Sequence, residues 1–112
     1  EARKKLLIDQ KNAEKLSTTL LHFSSWVYDE GRPDRDQVFV WGNGASFDLV
    51  LLSSAYEAVG FPIPWIYPNE RCYRTVKALS NRKEIKREGT HHDALADAIH
   101  QAKHLMKIKP NL

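Results

Sequence analysis

Only one short run of this chain reads as a β-strand, and that scarcity limits the available folds more than any other feature. Val38-Phe39-Val40-Trp41 is β-branched and aromatic and is bounded by turn formers, the pattern of a short buried strand. Before it, residues 2–30 read as helix. Leu6, Leu7, Ala13, Leu16, Leu20, Leu21, Phe23, Trp26 and Val27 recur there at three- and four-residue steps. A break near Ser17 and Thr18 is compatible with that pattern, since both side chains compete for backbone hydrogen bonds. Residues 31–36, Gly-Arg-Pro-Asp-Arg-Asp, form a polar, turn-rich loop.

After the strand, Gly42-Asn43-Gly44-Ala45-Ser46 turns the chain into a second helix from Phe47 to about Val59. Gly60-Phe61-Pro62-Ile63-Pro64 stops that helix. Trp65-Ile66-Tyr67 is a second short strand or an irregular segment. Glu70 to Leu79 reads as a short helix and residues 80–89 as a polar loop, and Thr90 caps a last helix reaching about Lys107. A sheet-based domain needs more strands than this. The order fits the back half of an α/β unit whose opening strands precede residue 1, and a start at Glu1 rather than methionine fits a trimmed piece.

A chain of 112 residues suffices for one small domain. Hydrophobic residues at 42% and charged residues at 28% exclude a disordered chain. No apolar run is long enough to span a bilayer, and the charged start is unlike a signal peptide, so no membrane role is expected. Cys72 stands alone, which excludes an internal disulfide and a cysteine zinc site and points to a reducing cytoplasm. The net charge is +3 and the pI about 9.1. Arg71, Arg74, Lys77, Arg82, Lys83, Lys86 and Arg87 concentrate the positive charge mid-chain. Such a cluster serves either a phosphate-rich partner or a solvated helix face.

Two constellations carry chemistry. In Thr90-His91-His92-Asp93-Ala94-Leu95-Ala96-Asp97-Ala98, a histidine precedes an aspartate by five positions at a helix start. At about 100° per residue, Ala94, Asp97, Ala98 and Gln101 share one part of the helix surface. Leu95, Ile99, Ala102, Leu105 and Met106 form the neighbouring apolar stripe. Asp97 is thereby expected beside a close-packed seam of small residues, where a carboxylate calls for a cation partner. Asp93 also suits the positive end of the helix dipole without any catalytic role. In the second constellation a strand ends, a glycine turn follows, and Asp48 falls in the first turn of the next helix. Ligand-binding groups of α/β folds gather at that kind of place. Asp48 and Asn43 also suit a plain first-turn carboxylate and a turn former.

Taken together, Asn43-x3-Phe47-Asp48 and His92-x4-Asp97 resemble the second and third motifs of the DnaQ-like DEDDh 3′–5′ exonucleases. The tryptophan before the glycine turn, the segment Arg71-Cys72-Tyr73-Arg74-Thr75 and the pair His91-His92 resemble a narrower group. These are the prophage-encoded exodeoxyribonuclease VIII-like and mycobacterial-type 3′–5′ exonucleases. The resemblance covers residues 36–108 and implies an α/β, ribonuclease-H-like fold. On that reading, residues 1–112 are the helix-rich C-terminal part of one exonuclease domain, without its first strands.

It further implies two divalent ions, Mg²⁺ or Mn²⁺, with Asp48 and Asp97 as two of four carboxylate ligands. His92 would be the general base, its ordinary pKa of about 6.5 suiting that task. Asn43, Phe47, Arg71 and Arg74 would contact the substrate, a single-stranded or 3′-frayed DNA or RNA. The product would be a nucleoside 5′-monophosphate. The first motif of the family, Asp-x-Glu, occurs nowhere in the chain. The chain by itself is therefore expected to be inactive and the complete protein an enzyme.

Further residues have two readings each. His100 and His104 continue the Asp93–Asp97 line, as a single-ion site or as the wet face of a helix. Trp41, Trp65 and Tyr67 either stack a terminal base or belong to the core. Cys72 reads as a buried apolar residue. An uncovered edge at residues 38–41 would favour self-association, so a homodimer is an expectation. The alternative to an exonuclease is a non-catalytic nucleic-acid- or protein-binding module that keeps the fold. A plain helical interaction domain requires both motifs to be accidental.

Overall fold

Parallel pairing of two three-residue strands joins distant stretches of residues 14–74. The computed structural model describes residues 3–4, 13–29, 34–80 and 93–108. The elements are α1 (Leu16–Asp29), β1 (Val40–Gly42), α2 (Ala45–Val59), β2 (Glu70–Cys72), α3 (Tyr73–Leu79) and α4 (Ala94–Ile108). The architecture is mixed α/β, rich in helix, with one two-stranded parallel sheet. Two compact units divide the chain, one of residues 14–74 and one that contains residues 75–112. Among the described residues no helix is long and apolar enough to cross a membrane.

The core of the first unit joins Leu20 and Val27 of α1, Val38, Tyr56 of α2 and Trp65. Phe23, Val40, Leu52, Ala55, Val59, Phe61 and Ile63 pack against it. Tyr56 is fully buried, and its ring meets Trp65 edge-on at 6.3 Å and 85°, a favoured aromatic geometry. The Tyr56 hydroxyl donates to the Leu20 carbonyl at 3.1 Å and lies 2.6 Å from Ser24 Oγ. That polar link satisfies a group which would otherwise be costly to bury. Three more bonds fix the approach to β2. Arg35 Nη2 donates to Trp65 O at 2.9 Å, Trp65 Nε1 to Glu70 Oε2 at 2.9 Å, and Asn69 Nδ2 to Asp36 O at 2.8 Å.

Several expectations are corrected. Residues 13–15 are not helical, and α1 begins at Leu16, so Ser17 and Thr18 lie inside the helix. Glu14 explains the start: its carboxylate accepts from the Thr19 hydroxyl at 3.2 Å and meets His22 Nδ1 at 3.1 Å, a favourable charge at a helix N-terminus. The first strand lies at Val40–Gly42 and is only partly buried, with Phe39 54% and Trp41 41% exposed. Of the two readings of Trp65-Ile66-Tyr67 the irregular one holds, with a 3-10 turn at Tyr67–Asn69. Glu70–Cys72 is strand rather than helix, because each residue pairs with β1: Val40 with Glu70, Trp41 with Arg71, Gly42 with Cys72. Helix starts only at Tyr73. Cys72 is half-buried on that strand, not a core residue.

The second helix begins two residues earlier than the expected Phe47 and ends at Val59 as expected. Gly60 ends it in the left-handed region (φ +74°), with Phe61 N donating back to Tyr56 O at 3.1 Å. Thr90, the expected cap of the last helix, lies outside the described residues, as do residues 81–89. Asp93 caps α4: its Oδ1 accepts from Ala96 N at 3.1 Å.

The polarity of α4 is the reverse of the expected one. Leu95, Ile99 and Met106 are 70%, 45% and 75% exposed, and Ala94, Ala98 and Ala102 are exposed too. Asp97 and His100 are half-buried, while His104 and Ile108 are fully buried. The small-residue seam and the wet histidine face are thus both overturned. Ile108 and Leu105 flank the histidine side, so both faces carry apolar groups and periodicity alone does not choose between them.

Candidate active site

Two parallel strands place their carboxyl ends side by side; β2 runs straight into α3, and β1 reaches α2 through the two-residue turn Asn43-Gly44. Gly42 ends β1 opposite Cys72 at the end of β2. Asn43 and Gly44 follow on one side, Tyr73 and Arg74 on the other. The pairing register therefore brings Arg74 to the β1–α2 loop from 31 residues away in sequence.

Gly44 bends that loop. Its φ of +92° is a left-handed conformation that glycine adopts without strain. From there Gly44 O accepts from Phe47 N at 2.9 Å and from Asp48 N at 3.3 Å, which starts α2. Asp48 falls in the first turn, as expected from the sequence, and is exposed. A Cβ built on Gly42 would meet Asp48 Cβ at 3.3 Å and Asp48 Oδ2 at 3.5 Å. A side chain on Gly42 would thus be tight against the Asp48 Cβ, while its distance to the carboxylate oxygen would be an ordinary contact.

On the other flank, a Cβ on Gly44 would stand 3.5 Å from Arg74 Cζ and 3.6 Å from both terminal nitrogens. Arg74 Nη2 donates to Asn43 O at 3.4 Å, a long bond for an N–H donor. Phe47 is 66% exposed beside them in sequence. Arg71 is used differently. Its Nη1 donates to Pro68 O at 2.7 Å and to Glu70 O at 3.2 Å, and its guanidinium lies 5.0 Å over the Phe39 ring. Of the candidate stacking residues, Trp65 is core at 2% exposure, whereas Trp41 is 41% and Tyr67 83% exposed.

The structure thus gathers Asp48, Asn43 and Arg74 around one loop. Asp97 belongs to the other compact unit, one turn into α4, where its N–H donates to Asp93 O at 2.8 Å. His92 and His91 lie outside the described residues. His100 and His104 face each other with ring centroids 6.3 Å apart. Among the described residues no three histidine, cysteine, aspartate or glutamate side chains gather as a metal site. Sequence reasoning had not singled out Gly42 and Gly44 as making room for a carboxylate and a guanidinium. The Gly-x-Gly spacing after a strand was the available signal.

The 3′–5′ exoribonuclease Rv2179c-like domain model matches residues 1–109. Comparison with curated proteins and with solved structures gives no match. Matched over nearly its whole length, this chain belongs to the Rv2179c-like 3′–5′ exoribonuclease domain family.

Proposed function

We propose that the protein is a metal-dependent 3′–5′ exonuclease of the DEDDh kind, hydrolysing phosphodiester bonds of RNA or DNA to nucleoside 5′-monophosphates. The family match supports 3′–5′ exonuclease function in general. The observation that carries the finer reading is Asp48, exposed in the first turn of the helix that follows the carboxyl end of a parallel strand and packed against Gly42 of that strand. A ribonuclease-H-like fold accommodates the same parallel pair and its following helices.

Carboxylate oxygens suit Mg²⁺ or Mn²⁺, and Asp48 and Asp97 are the residues that would hold two such ions. They make half of a four-carboxylate set, which is why the chain alone is expected to be inactive. When bound, the ions neutralise the phosphate and acidify water. His92 takes the proton from the attacking water, whose oxygen bonds to phosphorus as the P–O3′ bond breaks. The oxygen released takes up a proton from solvent water and stays on the shortened strand as its new 3′-hydroxyl. Asn43 and Phe47 position the terminal nucleotide. The substrate is a single-stranded or 3′-frayed end, and the setting is cytoplasmic; a homodimer and a likeness to prophage enzymes belong to the same reading.

The test is hydrolysis of a single strand by the full-length protein in Mn²⁺, beside Asp97→Asn and His92→Ala. Activity lost in both folded variants supports the assignments. A folded, inactive protein that still binds single strands favours the non-catalytic binding module.

A further inference from the structure

Arg71 and Arg74 lie three positions apart, yet their guanidinium groups keep different company. Arg71 is half-buried and committed to two backbone carbonyls and the Phe39 ring. Arg74 is exposed, and its contact with the fold is one long bond to Asn43 O. A guanidinium has five N–H donors in a planar fork. Arg74 leaves most of those donors without a bond to the fold, and among the described residues no carboxylate pairs with it.

Position adds to availability. The guanidinium rests over Gly44, 3.5 Å from where a Cβ would stand, an ordinary contact distance. Two residues back, at the end of β1, Gly42 lies against Asp48. Asp48 of α2 and Arg74 of α3, both exposed, therefore border the same β1–α2 turn. A planar guanidinium fork matches phosphate oxygens bidentately, which suits a group beside a carboxylate to a nucleic-acid strand.

We infer that Arg74, held over Gly44, binds a backbone phosphate of the substrate strand beside Asp48, while Arg71 serves the fold. The inference rests on the exonuclease reading above. Arg74 then contributes to binding of the strand in ground and transition states alike, so its loss moves KM rather than kcat.

The experiment uses the full-length protein and a 3′-labelled oligonucleotide. Arg74→Ala is expected to raise KM roughly 10- to 100-fold, the weight of a charge-assisted phosphate contact, with kcat changed less than about threefold. Arg74→Lys keeps the charge and restores part of the loss, because lysine lacks the fork. A second arm measures oligonucleotide binding against salt in Asp97→Asn, with and without Arg74→Ala. The slope of log affinity on log salt should fall by about one. Unchanged KM and unchanged slope in folded Arg74→Ala overturn the inference and leave the exonuclease reading intact. No hydrolysis by the wild type overturns the exonuclease reading, and the salt slope then still decides whether Arg74 meets a phosphate. No oligonucleotide binding by either protein overturns both.

Discussion

Gly42 and Asp48 stand so close that a methyl group on the glycine would lie 3.3 Å from the aspartate Cβ. The same methyl would lie 3.4 Å from the Ala45 backbone, so the helix start itself would have to shift. Gly42→Ala is expected to cost about 1 kcal/mol of stability, the low end for overpacking a closed site. Its effect on hydrolysis should be larger, roughly tenfold or more, because small displacements of catalytic groups are expensive. Thermal melts beside kcat check this; activity that falls only with the folded fraction would remove Gly42 from the account.

Tyr56 links the two helices of the first unit through a hydroxyl shared by Leu20 O and Ser24 Oγ. Tyr56→Phe strands those partners and is expected to cost about 1–2 kcal/mol, read as a lower thermal midpoint. Burial, with a smaller push from Tyr28, raises this phenol above its ordinary pKa of 10.0, against the pull of the Ser24 hydrogen bond. The unfolded chain therefore loses this proton first. The stability it contributes is whole below pH 10 and drains away as pH rises through the raised folded value. Denaturant melts from about pH 9 upward should fall more steeply in the wild type than in Tyr56→Phe.

Asp93 caps the helix that carries Asp97, accepting from Ala96 N at 3.1 Å while its carbonyl accepts from Asp97 N at 2.8 Å. Asp93→Ala is expected to cost about 1 kcal/mol and Asp93→Ser much less. Since Asp97 lies one turn in, hydrolysis should weaken in Asp93→Ala and recover in Asp93→Ser. Equal activity in both would show that the cap has no part in placing Asp97.

What could be read from the sequence depended on whether local residues or distant pairing decided the outcome. Glycines and prolines set the β1–α2 turn and the end of α2, and both were legible. Glu70-Arg71-Cys72 has no strand signature; β1 makes it a strand by pairing with it. Asp48 could be placed in a first turn from its neighbours alone. Arg74 could not be placed at Gly44 without the parallel register. On α4 apolar residues occur on both faces, so the expected inside became the outside. His92 and the stretch 81–92 fall outside the described residues, and their part in the site rests on the motif.

The most direct measurement labels one oligonucleotide at its 3′ end and a second at its 5′ end, and follows both with the full-length protein in Mn²⁺. The account predicts immediate release of the 3′ label as a nucleoside 5′-monophosphate. The 5′ label should stay on a ladder of shortening strands, and EDTA should stop both processes. Release of the 5′ label first, internal cleavage, or unchanged hydrolysis in Asp48→Asn would contradict it.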